Sequence, residues 1–430
     1  MISRPSHETS HFSRGFLLHI HPKKVAKETL RISLCFGLGG MSATLLFLLF
    51  ITGIFQVLSY IPDIGGAYDS VNMMYENASL AGWTRNIHYW SGNLLVIVAL
   101  LHCCRVFLTG ALHAQRGLNW HIGLILLGLV LLANFSGYLL PWDQLAYWAV
   151  TIFTSMLGYI PVFGEDIVEL LRGGKEIGPS TLSIFYAIHT GILPFCFVVA
   201  GIYHFWLVRK AGGLVRTQDN SGKPPDFVPA VPNLIEREAA VAFIVIAIML
   251  LFASLVDAPL AERANPAMSP NPAKAAWFFL GFQELLIHLH PTYAIVVLPS
   301  LFLTCLVLIP FRQDMVLPGG HWFGGGRGKK LAIWSCLAGT AITFIVILID
   351  EQLKTTGTNT STDILSRGIV PVLVIAALYG ASYLVITGKL GFTRAQAVMA
   401  GFVFTLTSLS CLTIVASWLR GAGMKLLLPF

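Results

Sequence analysis

Apolar runs of about 20 residues recur along this chain, beginning near positions 34, 87, 119, 182, 236, 293, 331, 369 and 397. At 1.5 Å per residue, each is long enough to cross roughly 30 Å of hydrocarbon. The pattern predicts an all-α integral membrane protein with nine spanning helices. The first four crowd together up to Arg209, and a polar, Pro-containing stretch then interrupts the hydrophobicity. The expected organisation is therefore an N-terminal four-helix domain at 1–210, a linker at 211–233 and a C-terminal membrane domain of about five helices at 234–430. Two connections on the face opposite the linker are longer than a turn needs, Leu139 to Thr181 and about 259–293. Long loops in compact proteins tend to be functional. The second carries a Trp- and Phe-rich run, AAWFFLGFQELLIHLHP, suited to walling a pocket at the membrane surface.

Composition agrees with lipid as the main solvent. Hydrophobic residues make up 55% of the chain and charged ones 11%, against about 25% charged in soluble domains. The net charge of +7 would suggest nucleic acid in a soluble protein, but here its sign alternates from loop to loop. With a cytoplasmic N-terminus, the tail and every second connection hold 19 Lys and Arg against 7 Asp and Glu, and the other face holds 9 against 14. That asymmetry follows the positive-inside rule and predicts a multi-pass membrane protein with a cytoplasmic N-terminus. Lipid, not nucleic acid, is its expected surroundings. The first 33 residues show no removable signal peptide pattern. Seven scattered cysteines and the absence of a C-x-x-C-H motif point to small packing residues, with no disulfide framework or covalently attached c-type haem.

Against this apolar background, four histidines stand in register. His88 and His102 are fourteen residues apart on the second helix, and His189 and His204 fifteen apart on the fourth. Fourteen residues make about 3.9 turns and about 21 Å of rise, so both histidines of a pair share a face. Antiparallel packing then sets His88 level with His189 and His102 level with His204. Ionisable groups inside a membrane are costly and default to functional readings. Imidazole also serves zinc and copper, but two neutral ligands on facing helices, repeated across the bilayer, suit an axially bound planar macrocycle better. Haem iron is the expected metal.

Gly39 and Gly53 on the first helix, and Gly123 and Gly137 on the third, repeat the spacing of fourteen. They leave room for porphyrin edges, although close helix packing through small residues is the competing explanation. Haem propionates need cations, and Arg85 and Arg105 sit at the two ends of the second helix, with Arg209 and Lys210 just after His204. For Arg209 and Lys210, topogenic charge is an equal rival.

The segments RNIHYW (85–90), HCCRVFLTG (102–110), GYLLPWDQLAYWAV (137–150), STLSIFYAIHTGILP (180–194) and YHFWLVRK (203–210) resemble the cytochrome b/b6 family, the quinone-reactive core of bc and b6f complexes, and the resemblance extends to about residue 310. The spacing of fifteen is similar to the b6 branch. The resemblance implies two b haems, the low-potential outer one on His88 and His189 and the high-potential inner one on His102 and His204. It also implies an outer quinol-oxidising pocket lined by Trp142 and Tyr147, and a quinone site near the cytoplasmic face. A Rieske-type iron-sulfur protein and c-type cytochromes would be partners, within a homodimeric complex.

Two departures from the family pattern stand out. Where the family carries Pro-Glu-Trp-Tyr, whose carboxylate takes a quinol proton, this chain has Ala275, Ala276, Trp277 and Phe278. Glu284, about two turns beyond Trp277, is the expected substitute base. Cys35 lies two residues too early for the covalent third haem of the b6 branch, so no such haem is expected. The leading expectation is a quinol oxidoreductase subunit. A non-bifurcating subunit coupled to multihaem c-type cytochromes or another iron-sulfur partner is the alternative, and a haem-free proton-relay transporter a remote one. His288 and His290 read as surface residues, and the last helix as an element for packing or partner contact.

Overall fold

The computed structural model of the protein describes residues 22–76, 80–216, 225–355 and 363–427. Most of the N-terminal tail and positions 217–224 of the expected linker lie outside the described residues. The chain runs through α1 (Leu38–Val57), α2 (Leu80–Leu108) and α3 (Ala114–Leu139), crosses two shorter helices, α4 (Gln144–Leu157) and α5 (Gly164–Arg172), and returns in α6 (Pro179–Lys210) and α7 (Ala230–Leu255). A short helix, α8 (Leu280–His288), precedes α9 (Tyr293–Phe311), α10 (Gly326–Lys354), α11 (Leu365–Lys389) and α12 (Arg394–Leu419). All but α4, α5 and α8 are long and apolar enough to cross a membrane, which makes nine among the described residues, as the hydrophobic pattern predicts. The protein is an all-α, multi-pass membrane protein.

The main core is the seam where α1, α2, α3 and α6 meet, filled by Leu45, Leu95, Val96, Val130, Leu193 and Phe197. Val245 and Met249 of α7 join the same core, so the first helix after the linker packs directly on the four-helix bundle. At the start of α2, Arg85, Asn86 and Trp90 donate to carbonyl oxygens of Ala258, Pro259, Ala253 and Val256, which ties α2 to the end of α7. At the other end Lys24–Ala26 pairs antiparallel with Phe227–Pro229 and joins the chain's start to the linker's end. Large apolar side chains such as Phe195 and Trp418 face outward. Such an apolar surface suits lipid and would be a liability in water.

Three spans widen into a π-turn directly before an X-Pro step: Ile188–Ile192 before Pro194, Tyr293–Val297 before Pro299, and Leu365–Ile369 before Pro371. Proline has no N–H and its ring collides with the carbonyl four residues back. A wider turn relieves both at the cost of one extra residue. In α6 that wider turn spans Ile188–Ile192 and includes His189.

Candidate functional site

His88 and His102 lie on α2, which is regular between them. His189 and His204 lie on α6 with the π-turn at the first of them, so fifteen residues there cover the turns that fourteen cover on α2. The structure brings His88 to His189 with ring centroids 6.2 Å apart, and His102 to His204 at 6.5 Å. Two imidazoles that ligate one ion from opposite sides, at metal–nitrogen bonds of about 2 Å, have centroids roughly 6 Å apart. Both pairs fit a bis-histidine haem.

The remaining surroundings fit as well. His88 Nδ1 meets Thr52 Oγ1 at 2.9 Å and His189 Nδ1 meets Ser136 Oγ at 3.0 Å, so Nε2 of each ring is the nitrogen that would ligate a metal. A Cβ on Gly53 or Gly39 would lie 3.3 Å from Cε1 of His88 or His102, and a Cβ on Gly137 would lie 2.6 Å from Cε1 of His189. On Gly123 it would meet His204 Cε1 at 3.6 Å, an ordinary contact. Each glycine therefore faces one histidine. Arg105 is buried and donates from Nε to the Leu34 carbonyl, while its Nη2 has no partner among the described residues. A buried cation with an open donor suits an anionic group such as a propionate. Arg85 gives two donors to the carbonyls of Ala258 and Pro259, out of the five a guanidinium carries. Lys210 is exposed beside Trp206. Arg209 is half-buried at the same helix end. Cys35 ends a short helix, Ile32–Cys35, and a left-handed turn at Phe36 and Gly37 separates it from α1.

Towards the end of the bundle where His88 lies, Trp142 and Tyr147 are buried and meet edge to face at 5.7 Å. Trp142 has φ 52°, a left-handed conformation that costs a non-glycine residue about 1–2 kcal/mol. Asp143 holds it there. Its carboxylate caps α4 by accepting from Ala146 N at 2.8 Å, and it also accepts from Ala261 N at 3.0 Å. Burial pushes the Asp143 carboxyl above the ordinary carboxylate value. Phe278 and Phe279 pack into the same apolar cluster as Trp142 and Tyr147, and Trp277 Nε1 donates to Asn93 Oδ1 at 2.6 Å. The two long loops thus meet in one aromatic patch.

Glu284 differs from the open base expected of it. It is fully buried, and Arg420 donates to both of its oxygens, from Nη2 at 2.5 Å and from Nε at 3.0 and 3.1 Å. His288 Nε2 lies 3.1 Å from Glu284 Oε1, and its Nδ1 lies 2.7 Å from Asp350 Oδ2. Burial alone would raise the Glu284 carboxyl, but the bonds from His288 and Arg420 outweigh it and hold it below the usual value. His288 is raised, because Asp350 and Glu284 favour its charged form more than burial opposes it. Its side chain is 9% exposed, so it is not the surface residue its interfacial HLHP setting suggests. The sequence signal for this cluster was the cation Arg420 just after the last apolar run.

A helical bundle with nine membrane-length spans among the described residues and two facing histidine pairs defines a class: a multi-pass membrane protein whose paired histidines suit metal ligation. The comparisons narrow it. Residues 24–212 match the model of cytochrome b/b6/petB. Cytochrome b6 of Tupiella akineta is 41% identical over 181 residues, which are 42% of this chain and 84% of that protein. Cytochrome b6 of Prochlorococcus marinus strain AS9601 is 38% identical over 181 residues, covering 42% of this chain and 83% of its own length. The chain belongs to the cytochrome b/b6 family, and so to the membrane proteins of electron transport. A solved structure titled hyperthermophilic respiratory Complex III shares the fold at a TM-score of 0.67 and 22% identity, over 95% of this chain and 97% of that one. The likeness in fold therefore reaches beyond the region that cytochrome b6 matches.

Proposed function

We propose that the chain is the cytochrome b subunit of a bc-type quinol oxidoreductase in a prokaryotic cytoplasmic membrane, with its N-terminus in the cytoplasm. The observation that carries the proposal is the pairing of four histidines at 6.2 and 6.5 Å, each with a glycine against its ring. When bound, two b haems supply reversible one-electron transfer across the bilayer. His88 with His189 would hold the outer haem, and His102 with His204 the inner one. Thr52 and Ser136 orient the outer imidazoles, Gly39, Gly53, Gly123 and Gly137 keep the faces clear, and Arg85, Arg105, Arg209 and Lys210 balance propionate charge.

Trp142, Tyr147 and the Trp277–Phe279 turn form the wall against which a quinol ring binds on the outer side. There quinol gives up electrons and releases protons outward, and a quinone site near the cytoplasmic face takes up both. Glu284 belongs to this region as the carboxylate that joins α8 to the end of α12, since Arg420 occupies both of its oxygens. Partners would be a Rieske-type iron-sulfur protein and a c-type cytochrome, with the complex a homodimer.

The same ion pair favours a second reading. With Ala275 and Ala276 in place of a carboxylate, and Glu284 engaged, the subunit would exchange electrons between the quinone pool and multihaem c-type cytochromes without bifurcation. Stopped-flow mixing of the isolated complex with a short-chain quinol separates the two. Bifurcation predicts reduction of haem b and an iron-sulfur acceptor together. Haem b reduction with no iron-sulfur acceptor supports the second reading, and no haem b reduction contradicts both.

A further inference from the structure

The segment Asn271–Phe279 walls the proposed outer quinol pocket, and the end of the last helix grips it at several points. Asn271 Oδ1 accepts from Gly423 N at 2.5 Å, just past α12. Lys274 Nζ donates to the Ser417 carbonyl at 2.8 Å. Ala275 and Leu280 are buried against Ala416, which is itself fully buried. Gln283 of α8 holds the same segment, accepting from Ala275 N at 2.8 Å and donating to the Ala273 carbonyl at 2.9 Å.

Arg420 fastens α8 in turn. Its guanidinium is fully buried and spans Glu284, Glu351 Oε1 at 3.1 Å and the Met424 carbonyl at 3.0 Å. Lys354 and Arg367 bring further donors to the same patch, both to the Ile287 carbonyl, at 3.1 and 3.4 Å. Because cations already fill the spaces between its carboxylates, the patch is an ion-pair lattice and not an open metal site. Bidentate pairing fixes direction as well as distance, so the lattice sets where α8, and with it the Trp277–Phe279 turn, stands relative to α12.

We infer that α12 is a working part of the outer quinol site, and that Arg420 is its positioning residue, acting on the pocket wall through Glu284 and α8. This rests on the quinol-oxidising reading above. It assigns the last helix more than the packing or partner contact expected from sequence.

The test uses the full membrane complex with Arg420→Gln and, as a milder change, Lys274→Met, which removes one bond to Ser417. Haem b content checks folding. Steady-state oxidation of a short-chain quinol gives KM and kcat separately. The expected result is intact haem b with KM raised about 3- to 10-fold in Arg420→Gln and about 2-fold in Lys274→Met, while kcat changes less than about 2-fold. Loss of haem b in Arg420→Gln transfers the decision to Lys274→Met. Wild-type KM in whichever variants keep their haem overturns the inference and leaves the quinol reading standing. A wild-type complex that does not oxidise quinol overturns both.

Discussion

A Cβ on Gly137 would lie 2.6 Å from Cε1 of His189, closer than real side chains approach. The bare backbone of α3 is what lets that imidazole stand where it faces His88. Gly137→Ala therefore displaces His189, and the purified protein is expected to keep about one b haem per chain, measured as haem b per polypeptide. Gly123→Ala, whose Cβ meets His204 at 3.6 Å, is expected to keep about two. Equal loss in both variants would mean that the glycines serve general helix packing.

Thr52 and Ser136 each hold Nδ1 of an outer histidine. Removing such a partner usually costs about 10- to 100-fold in metal affinity or activity. Thr52→Val and Ser136→Ala are expected to weaken retention of the outer haem in a haem-transfer competition and to shift its midpoint potential. The signal of the inner haem is expected to hold.

Asp143 joins α4 to the loop after α7 through the amides of Ala146 and Ala261. Asp143→Ala loses a cap worth about 1 kcal/mol and leaves the part-buried Ala261 N–H without its carboxylate partner, at a further cost of up to about 1 kcal/mol. A lower thermal midpoint is expected, with Asp143→Asn falling less because its amide oxygen can still cap. Equal midpoints for Asp143→Ala and wild type would remove Asp143 from the account.

The outer ion-pair lattice predicts a pH window. His288 is raised above its ordinary 6.5 and faces Glu284 on α8, Asp350 and Lys354 on α10, and Arg420. Its contribution to stability is complete below about pH 6.5 and is lost as pH rises through its folded value. Glu284 is depressed from 4.5. Its contribution is present above about pH 4.5 and is lost as pH falls through the lower folded value. Thermal stability followed by haem absorbance should therefore decline on the alkaline side, and His288→Gln should flatten that decline. An unchanged alkaline limb in the variant counts against His288 as its source.

Local periodicity carried much of this in the sequence. The nine spans, the register of the four histidines and the matching glycines all follow from the rise and turn of a helix, which repeat over short distances. The fifteen-residue interval on α6 was visible, but the wider turn at Ile188–Ile192 that accommodates it, just before Pro194, was not. What else stayed hidden depends on pairing between distant parts of the chain. Glu284 and Arg420 are 136 residues apart, and no local pattern says that a carboxylate on α8 meets the end of the last helix. His288 looked interfacial because it lies at the end of a long loop segment beside His290 and Pro291, yet Asp350 and Glu284 enclose it. The left-handed backbone at Trp142 was equally silent, since no glycine marks it.

The central claim is that two bis-histidine b haems sit in this bundle. Pyridine haemochrome quantitation with a reduced-minus-oxidised spectrum, on wild type beside His88→Ala and His102→Ala, tests it most directly. About two b haems per wild-type chain, with each variant keeping about one and the two losing spectrally different ones, is the predicted result. Well-folded wild-type protein without haem b, or variants that lose nothing, would contradict it.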